Sequence, residues 1–118
     1  MASILIVDDQ PYLRELFAQE LVDEGYSVVS AADIESAKRS LEDGNPDLVL
    51  LDLYLNGFEG WNLLDEIKNK EPHLPVLIVT AYDSYMHDPR ASQAEGYVIK
   101  SFTHLEDLKR KIVDLLGQ

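Results

Sequence analysis

The chain has no cysteine among its 118 residues, so disulfides and thiolate metal sites are excluded. It has no apolar run near the roughly 18 residues that a membrane-spanning helix needs. Cations are scarce: 10 Lys and Arg stand against 22 Asp and Glu, a formal net charge of −12. That balance argues against direct binding to nucleic acid or to an anionic membrane surface. Met1-Ala2-Ser3 leads into a strand-like run without the basic region or apolar core of a signal peptide. The expectation is a soluble, cytoplasmic protein. The length suits one domain, residues 1–118, with a core large enough to need no staples.

What is present is a set of short apolar runs that end on chemically loaded residues. Ile4 to Val7 runs into Asp8 and Asp9, Leu48 to Leu51 into Asp52, Val76 to Val79 into Thr80, and Tyr97 to Ile99 into Lys100. Continuous apolar runs read as strands buried on both faces, the habit of a parallel sheet. Amphipathic segments alternate with them, giving five strands and up to five helices, an α/β pattern. A helix is expected after Asp9, with Pro11 in its first turn and Leu13, Leu16, Phe17 and Leu21 inward, ending at Gly25. Ser27 to Ala31 is the second strand. Asp33 caps a second helix that packs Ile34, Ala37 and Leu41 and stops at Gly44. A third begins near Gly60 and buries Leu64 and Ile67. The last opens with the capping-box spacing of Thr103 and Glu106. Between Thr80 and Tyr97, Asp88-Pro89 interrupts the segment where a fourth helix belongs. Proline in a helix interior costs about 3 kcal/mol. The fourth helix is therefore expected to be short or irregular, confined to Pro89–Ala94.

The expected architecture is a doubly wound five-stranded parallel sheet, order 2-1-3-4-5, in a flavodoxin-like three-layer sandwich. Ligands bind at the carboxyl ends of such strands, at the switch point between strands one and three. Asp8, Asp9 and Asp52 would meet there. Carboxylates so crowded raise one another's pKa unless a cation relieves them. All-oxygen ligands without His or Cys select Mg²⁺, with Mn²⁺ able to substitute. Asp52 is the best nucleophile, because a carboxylate can form an aspartyl phosphate. Thr80 and Lys100 would serve the phosphoryl oxygens. Plainer roles stand beside these: Asp9 as a helix cap, Asp52 as a turn residue, Thr80 as an ordinary strand end, Lys100 as a solvated charge and Tyr97 as packing. His73, His87 and His104 show no ligand spacing and read as surface residues, and Trp61 as packing.

The chain resembles the receiver domain of bacterial two-component response regulators, the CheY-like superfamily, over nearly its full length. The resemblance rests on residues 4–9, 46–53, Thr80-Ala81 and 96–100 taken in order. It implies that Asp52 accepts a phosphoryl group from a sensor histidine kinase or histidine phosphotransfer protein. It implies Asp9 as a direct metal ligand, Asp8 largely through water, and the Tyr54 carbonyl as a further ligand. Thr80 would follow the phosphoryl group, Tyr97 would be a rotameric switch, and Lys100 the cation. Tyr54 and Tyr82 would flank the attacking water and slow hydrolysis. Output would leave through the face of the fourth helix, fifth strand and last helix.

The chain departs from the pattern in three places. Ser101 follows Lys100 where the family has a proline joined by a cis bond, which leaves the Lys100–Ser101 isomer open. Asn56 stands where the family favours proline. The Thr80–Lys100 stretch is about two residues short, which bears on the output face. The expectation is a stand-alone or excised receiver without an output domain, monomeric or dimerising on phosphorylation, with an unknown downstream target. It would catalyse only its own phosphorylation and dephosphorylation. The alternative is a receiver-fold docking scaffold that does not cycle phosphate. A haloacid-dehalogenase-type phosphatase would want a carboxylate where Tyr54 stands. A flavodoxin would want a phosphate loop where Asp8 and Asp9 repel anions.

Overall fold

The computed structural model describes residues 2–100 and 105–117. In order these form β1 (Ser3–Val7), α1 (Pro11–Asp23), β2 (Ser27–Ala31), α2 (Ile34–Gly44) and β3 (Leu48–Leu51). Then come α3 (Gly60–Lys70), β4 (Val76–Thr80), a short 3₁₀ helix (Pro89–Gln93), β5 (Gly96–Ile99) and α4 (Leu105–Leu116). The strands make one sheet in the order β2-β1-β3-β4-β5, parallel throughout, as the apolar runs predict.

Alternation along each strand splits the core in two. Leu5, Val7, Val49, Leu51, Val76 and Ile78 point to the side covered by α2 and α3. Ile4, Ile6, Leu48, Leu50, Leu77 and Val79 point to the side covered by α1 and α4. The inward stripe of α1 is narrower than expected. Phe17 and Leu21 are buried, while Leu13 and Leu16 lie half-buried against that core. Asp33 caps α2 as predicted, accepting the Ser36 N–H at 2.8 Å. The stop is a correction: α2 runs through Gly44 and turns left-handed at Asn45, φ 42°. Asparagine tolerates that region, and Pro46 then bars further helix.

The proline break has the expected effect. Asp88 accepts the Arg90 N–H and starts a five-residue 3₁₀ helix with Pro89 at its head. This short piece docks on α3. Gln93 donates to Asp65 at 2.6 Å, and the Arg90 guanidinium lies 4.1 Å over the Trp61 ring. The Thr103 capping position, His104 and the Lys100–Ser101 bond lie outside the described residues.

One helix start is fixed by a close approach to the sheet. A Cβ at Gly60 would lie 2.4 Å from the Asp52 carbonyl oxygen and 2.6 Å from Leu53 Cα. Only glycine lets α3 begin there. Gly44, by contrast, has nothing within 4 Å and no positive φ. Gly60→Ala should therefore lower unfolding free energy by about 1–3 kcal/mol through overpacking. Gly44→Ala should raise it by about 0.4–1 kcal/mol through the unfolded chain. Urea melts of the two variants check the opposite signs.

Candidate functional site

Ladder bonds carry the key residues to one edge. Val7 is the parallel partner of Leu51, and Thr80 that of Ile99. The Asp52 N–H donates to the Val7 carbonyl at 2.9 Å, and the Lys100 N–H to the Thr80 carbonyl at 2.7 Å. The Asp8 N–H reaches Ala31 at 3.0 Å. Asp8, Asp52 and Lys100 thus each stand one residue beyond the end of a strand, with the backbone held.

Their side chains meet. The Lys100 ammonium donates to Asp8 Oδ2 at 3.0 Å and to Asp52 Oδ2 at 2.9 Å. The three side chains are only 2–5% exposed. Asp9 is half-buried beside them, and Asp8, Asp9 and Asp52 each offer an oxygen within 4.8 Å of the others. Burial pushes the Asp52 carboxyl up, and the hydrogen bond and charge of Lys100 offset this only in part. Burial pulls Lys100 down, but the Asp52 and Asp8 carboxylates outweigh it and leave the ammonium raised. Burial thus works against the charge on Asp52, while the two carboxylates favour the charge on Lys100.

Further groups shape the site. Asp8 Oδ1 accepts the Gln10 N–H at 2.8 Å, and Arg14 donates to the Asp8 carbonyl at 2.9 Å. Gln10, not Asp9, is the N-cap residue of α1, which removes the plainer role for Asp9. The Tyr54 N–H donates to Asp52 Oδ1 at 3.1 Å. Thr80 is wholly buried, and its hydroxyl has no partner among the described residues. The Tyr97 hydroxyl donates to the Tyr82 carbonyl, which ties β5 to the loop after β4. Trp61 is buried core, and His73 and His87 are exposed.

Sequence reasoning missed Arg14, Gly60, Phe58 and Tyr85. Arg14 carries no motif, and Gly60 reads as an ordinary helix start. Phe58 packs its ring 4.8 Å from Tyr54 and 5.1 Å from Tyr85. Only the folding of two distant loops brings those rings together.

The residues present fit a hard divalent cation. The donors are all carboxylate oxygens, one lysine faces three acids, and the orphaned Thr80 hydroxyl points to an oxygen-rich ligand.

Comparison with known proteins agrees with this geometry. The family model described as "Response regulator receiver domain" matches residues 4–113. The chain is 34% identical over 117 residues to the probable transcriptional regulatory protein TcrX of Mycobacterium tuberculosis, covering 97% of itself and 49% of TcrX. The chain thus spans about half the length of that relative. The response regulator TrrA of Thermotoga maritima, solved in complex with Mg²⁺-BeF, is 39% identical with TM-score 0.91, covering 98% of this chain and 99% of TrrA. TrrA solved in complex with the histidine kinase ThkA superposes with TM-score 0.90 at 40% identity, again covering 98% and 99% of the two chains.

Two outcomes follow from the crowded charges. Mg²⁺ at about 100 times its dissociation constant should stabilise the fold by about 2.7 kcal/mol, and Asp9→Asn should abolish most of that gain. Thermal melts with Mg²⁺ and with EDTA check this, and an unchanged wild-type melting temperature contradicts it. The second outcome concerns pH without divalent ions. Because the folded Asp52 pKa is raised, its contribution is full below the ordinary carboxylate range and lost as pH rises through the raised value. The melting temperature of wild type minus that of Asp52→Asn should therefore fall with pH across that window.

Proposed function

We propose that this chain, which belongs to the response regulator receiver domain family, is a phospho-accepting switch in two-component or phosphorelay signalling. The observation that carries the reading is the buried Asp52–Lys100–Asp8 contact with Asp9 alongside, at the carboxyl edge of the sheet.

Asp52 is the acceptor. An oxygen of its carboxylate attacks the phosphorus of a phosphohistidine, the P–N bond breaks, and the donor imidazole leaves. The Tyr54 N–H, already on Asp52 Oδ1, orients the carboxylate so that Oδ2 is the oxygen shared with Lys100. Lys100 then holds an oxygen of the arriving group with its ammonium, and the Thr80 hydroxyl, without a partner among the described residues, gains an acceptor. Mg²⁺, or Mn²⁺ in its place, would be held by Asp9, Asp52 and the Tyr54 carbonyl, with Asp8 largely through water, and when bound it supplies positive charge against the phosphoryl oxygens. Movement of Thr80 toward that group pulls on the loop that follows it. Tyr82 in that loop is bonded to Tyr97, which is the rotameric switch of this reading. Shifting a switch from mostly off to mostly on takes about 5.5 kcal/mol of differential affinity.

The partner is a sensor histidine kinase or a histidine phosphotransfer protein, a reading supported by TrrA having been solved with a histidine kinase. Among the described residues no helix is long and apolar enough to cross a membrane. We place the protein in the cytoplasm, as a monomer or a phosphorylation-dependent dimer without direct nucleic-acid contact. Residues 1–118 act as one receiver unit.

Incubation with Mg²⁺ and acetyl phosphate should add the mass of one phosphoryl group to the wild type and none to Asp52→Ala. Lys100→Ala should load on the order of 10²–10³ times more slowly. Absence of any Asp52-dependent mass gain would favour a docking scaffold that does not cycle phosphate.

A further inference from the structure

The loop between β3 and α3 carries three successive left-handed residues, Asn56 at φ 47°, Gly57 at 88° and Phe58 at 65°. Asparagine and glycine enter that region readily, but a bulky phenylalanine does so only when its surroundings hold it there. The surroundings here are rings. Phe58 meets Tyr54 edge-on at 4.8 Å, Tyr85 at 5.1 Å and Tyr82 at 6.0 Å. Tyr54 and Tyr82 also meet each other at 6.0 Å, and Tyr82 and Tyr85 at 6.2 Å. Phe58 and Tyr82 each meet all three other rings, and Phe58 does so at the shortest distances, 4.8 and 5.1 Å, from a left-handed backbone.

The four rings join two loops. One loop follows Asp52 directly and the other follows Thr80, so the cluster bridges the strand end that carries the acceptor and the end of the neighbouring β4. Tyr54 and Tyr82 are 41% and 42% exposed, while the Asp52 side chain is only 5% exposed. The nucleophile is buried, and exposed aromatic surface lies on the loops that leave its strand end and that of β4. The Tyr97 hydroxyl on the Tyr82 carbonyl anchors the second loop to β5.

We infer that Phe58 is a positioning residue that seats an aromatic lid, built with Tyr54, Tyr82 and Tyr85, which limits the access of both phosphodonor and water to Asp52. The inference rests on the receiver reading above. In loading from acetyl phosphate, an Asp52 oxygen attacks phosphorus, the donor P–O bond breaks and acetate leaves. In loss, water attacks the same phosphorus, the bond between Asp52 oxygen and phosphorus breaks, the carboxylate is restored and dihydrogen phosphate leaves. Both attacks need the lid open. A gate therefore slows both, whereas a group that favours one side of the reaction changes their balance.

Phe58→Gly removes the ring and leaves a residue at ease with positive φ. Loading from acetyl phosphate with Mg²⁺ and spontaneous loss after donor removal should both speed up, by about tenfold for the ring contacts released. Phe58→Tyr, which keeps the ring, should restore both slow rates. Tyr85→Leu opens the cluster from the other loop and should move both rates the same way, which keeps the test alive if Phe58→Gly does not fold. Variants that load and lose phosphate at wild-type rates, or that change only one of the two, overturn the lid while leaving the receiver intact. A wild type that takes no phosphoryl group from acetyl phosphate overturns the receiver reading and the lid with it.

Discussion

One ammonium group between two buried carboxylates sets the terms for the rest of this fold. Three acids at the ends of β1 and β3 repel one another, and burial raises the cost of each charge. Lys100 offsets that cost only because the sheet order sets β5 two strands from β3, with Thr80 of β4 between them. From there its ammonium reaches both Asp8 and Asp52. Sheet order, strand register and charge pairing are thus a single constraint. The pairing leaves one ammonium facing a cluster of three acids, and burial raises the Asp52 carboxyl, an arrangement that favours an added cation.

The mouth of the site answers to a second constraint, the shortage of chain after β4. Pro89 limits that segment to a five-residue 3₁₀ helix, which leans on α3 through Arg90 and Gln93. The preceding loop is left to pack against what is near, and the nearest apolar surface is Phe58 and Trp61. The short 3₁₀ segment and the Tyr82 and Tyr85 rings of the aromatic cluster lie in the same stretch between β4 and β5.

The parallel sheet was legible because buried parallel strands leave continuous apolar runs, and those of residues 4–7, 48–51 and 76–79 are unambiguous; its order followed only from taking the doubly wound arrangement. The convergence of Asp8, Asp52 and Lys100 was legible too, since each follows its strand directly. The stop of α2 was misread, as Gly44 is a commoner terminator than Asn45 and only the backbone angle tells them apart. Gly60 was invisible as a contact because its neighbour is main chain from β3, which carries no side-chain signal. The Phe58–Tyr85 contact was hidden for another reason: it depends on how two irregular loops fold back, and aromatic residues in loops have no periodicity. Arg14 bonds to a carbonyl, a partner that any sequence offers everywhere.

The central claim is that the strand-end acids and Lys100 form one site for a divalent cation and a phosphoryl-like group together. Fluorine NMR of the protein with beryllium fluoride tests it directly, since Mg²⁺-BeF is the species bound in the related TrrA. Bound fluorine signals that appear with Mg²⁺ and vanish when it is chelated are the predicted result. Fluorine signals that stay those of the free complex at saturating Mg²⁺ would contradict it.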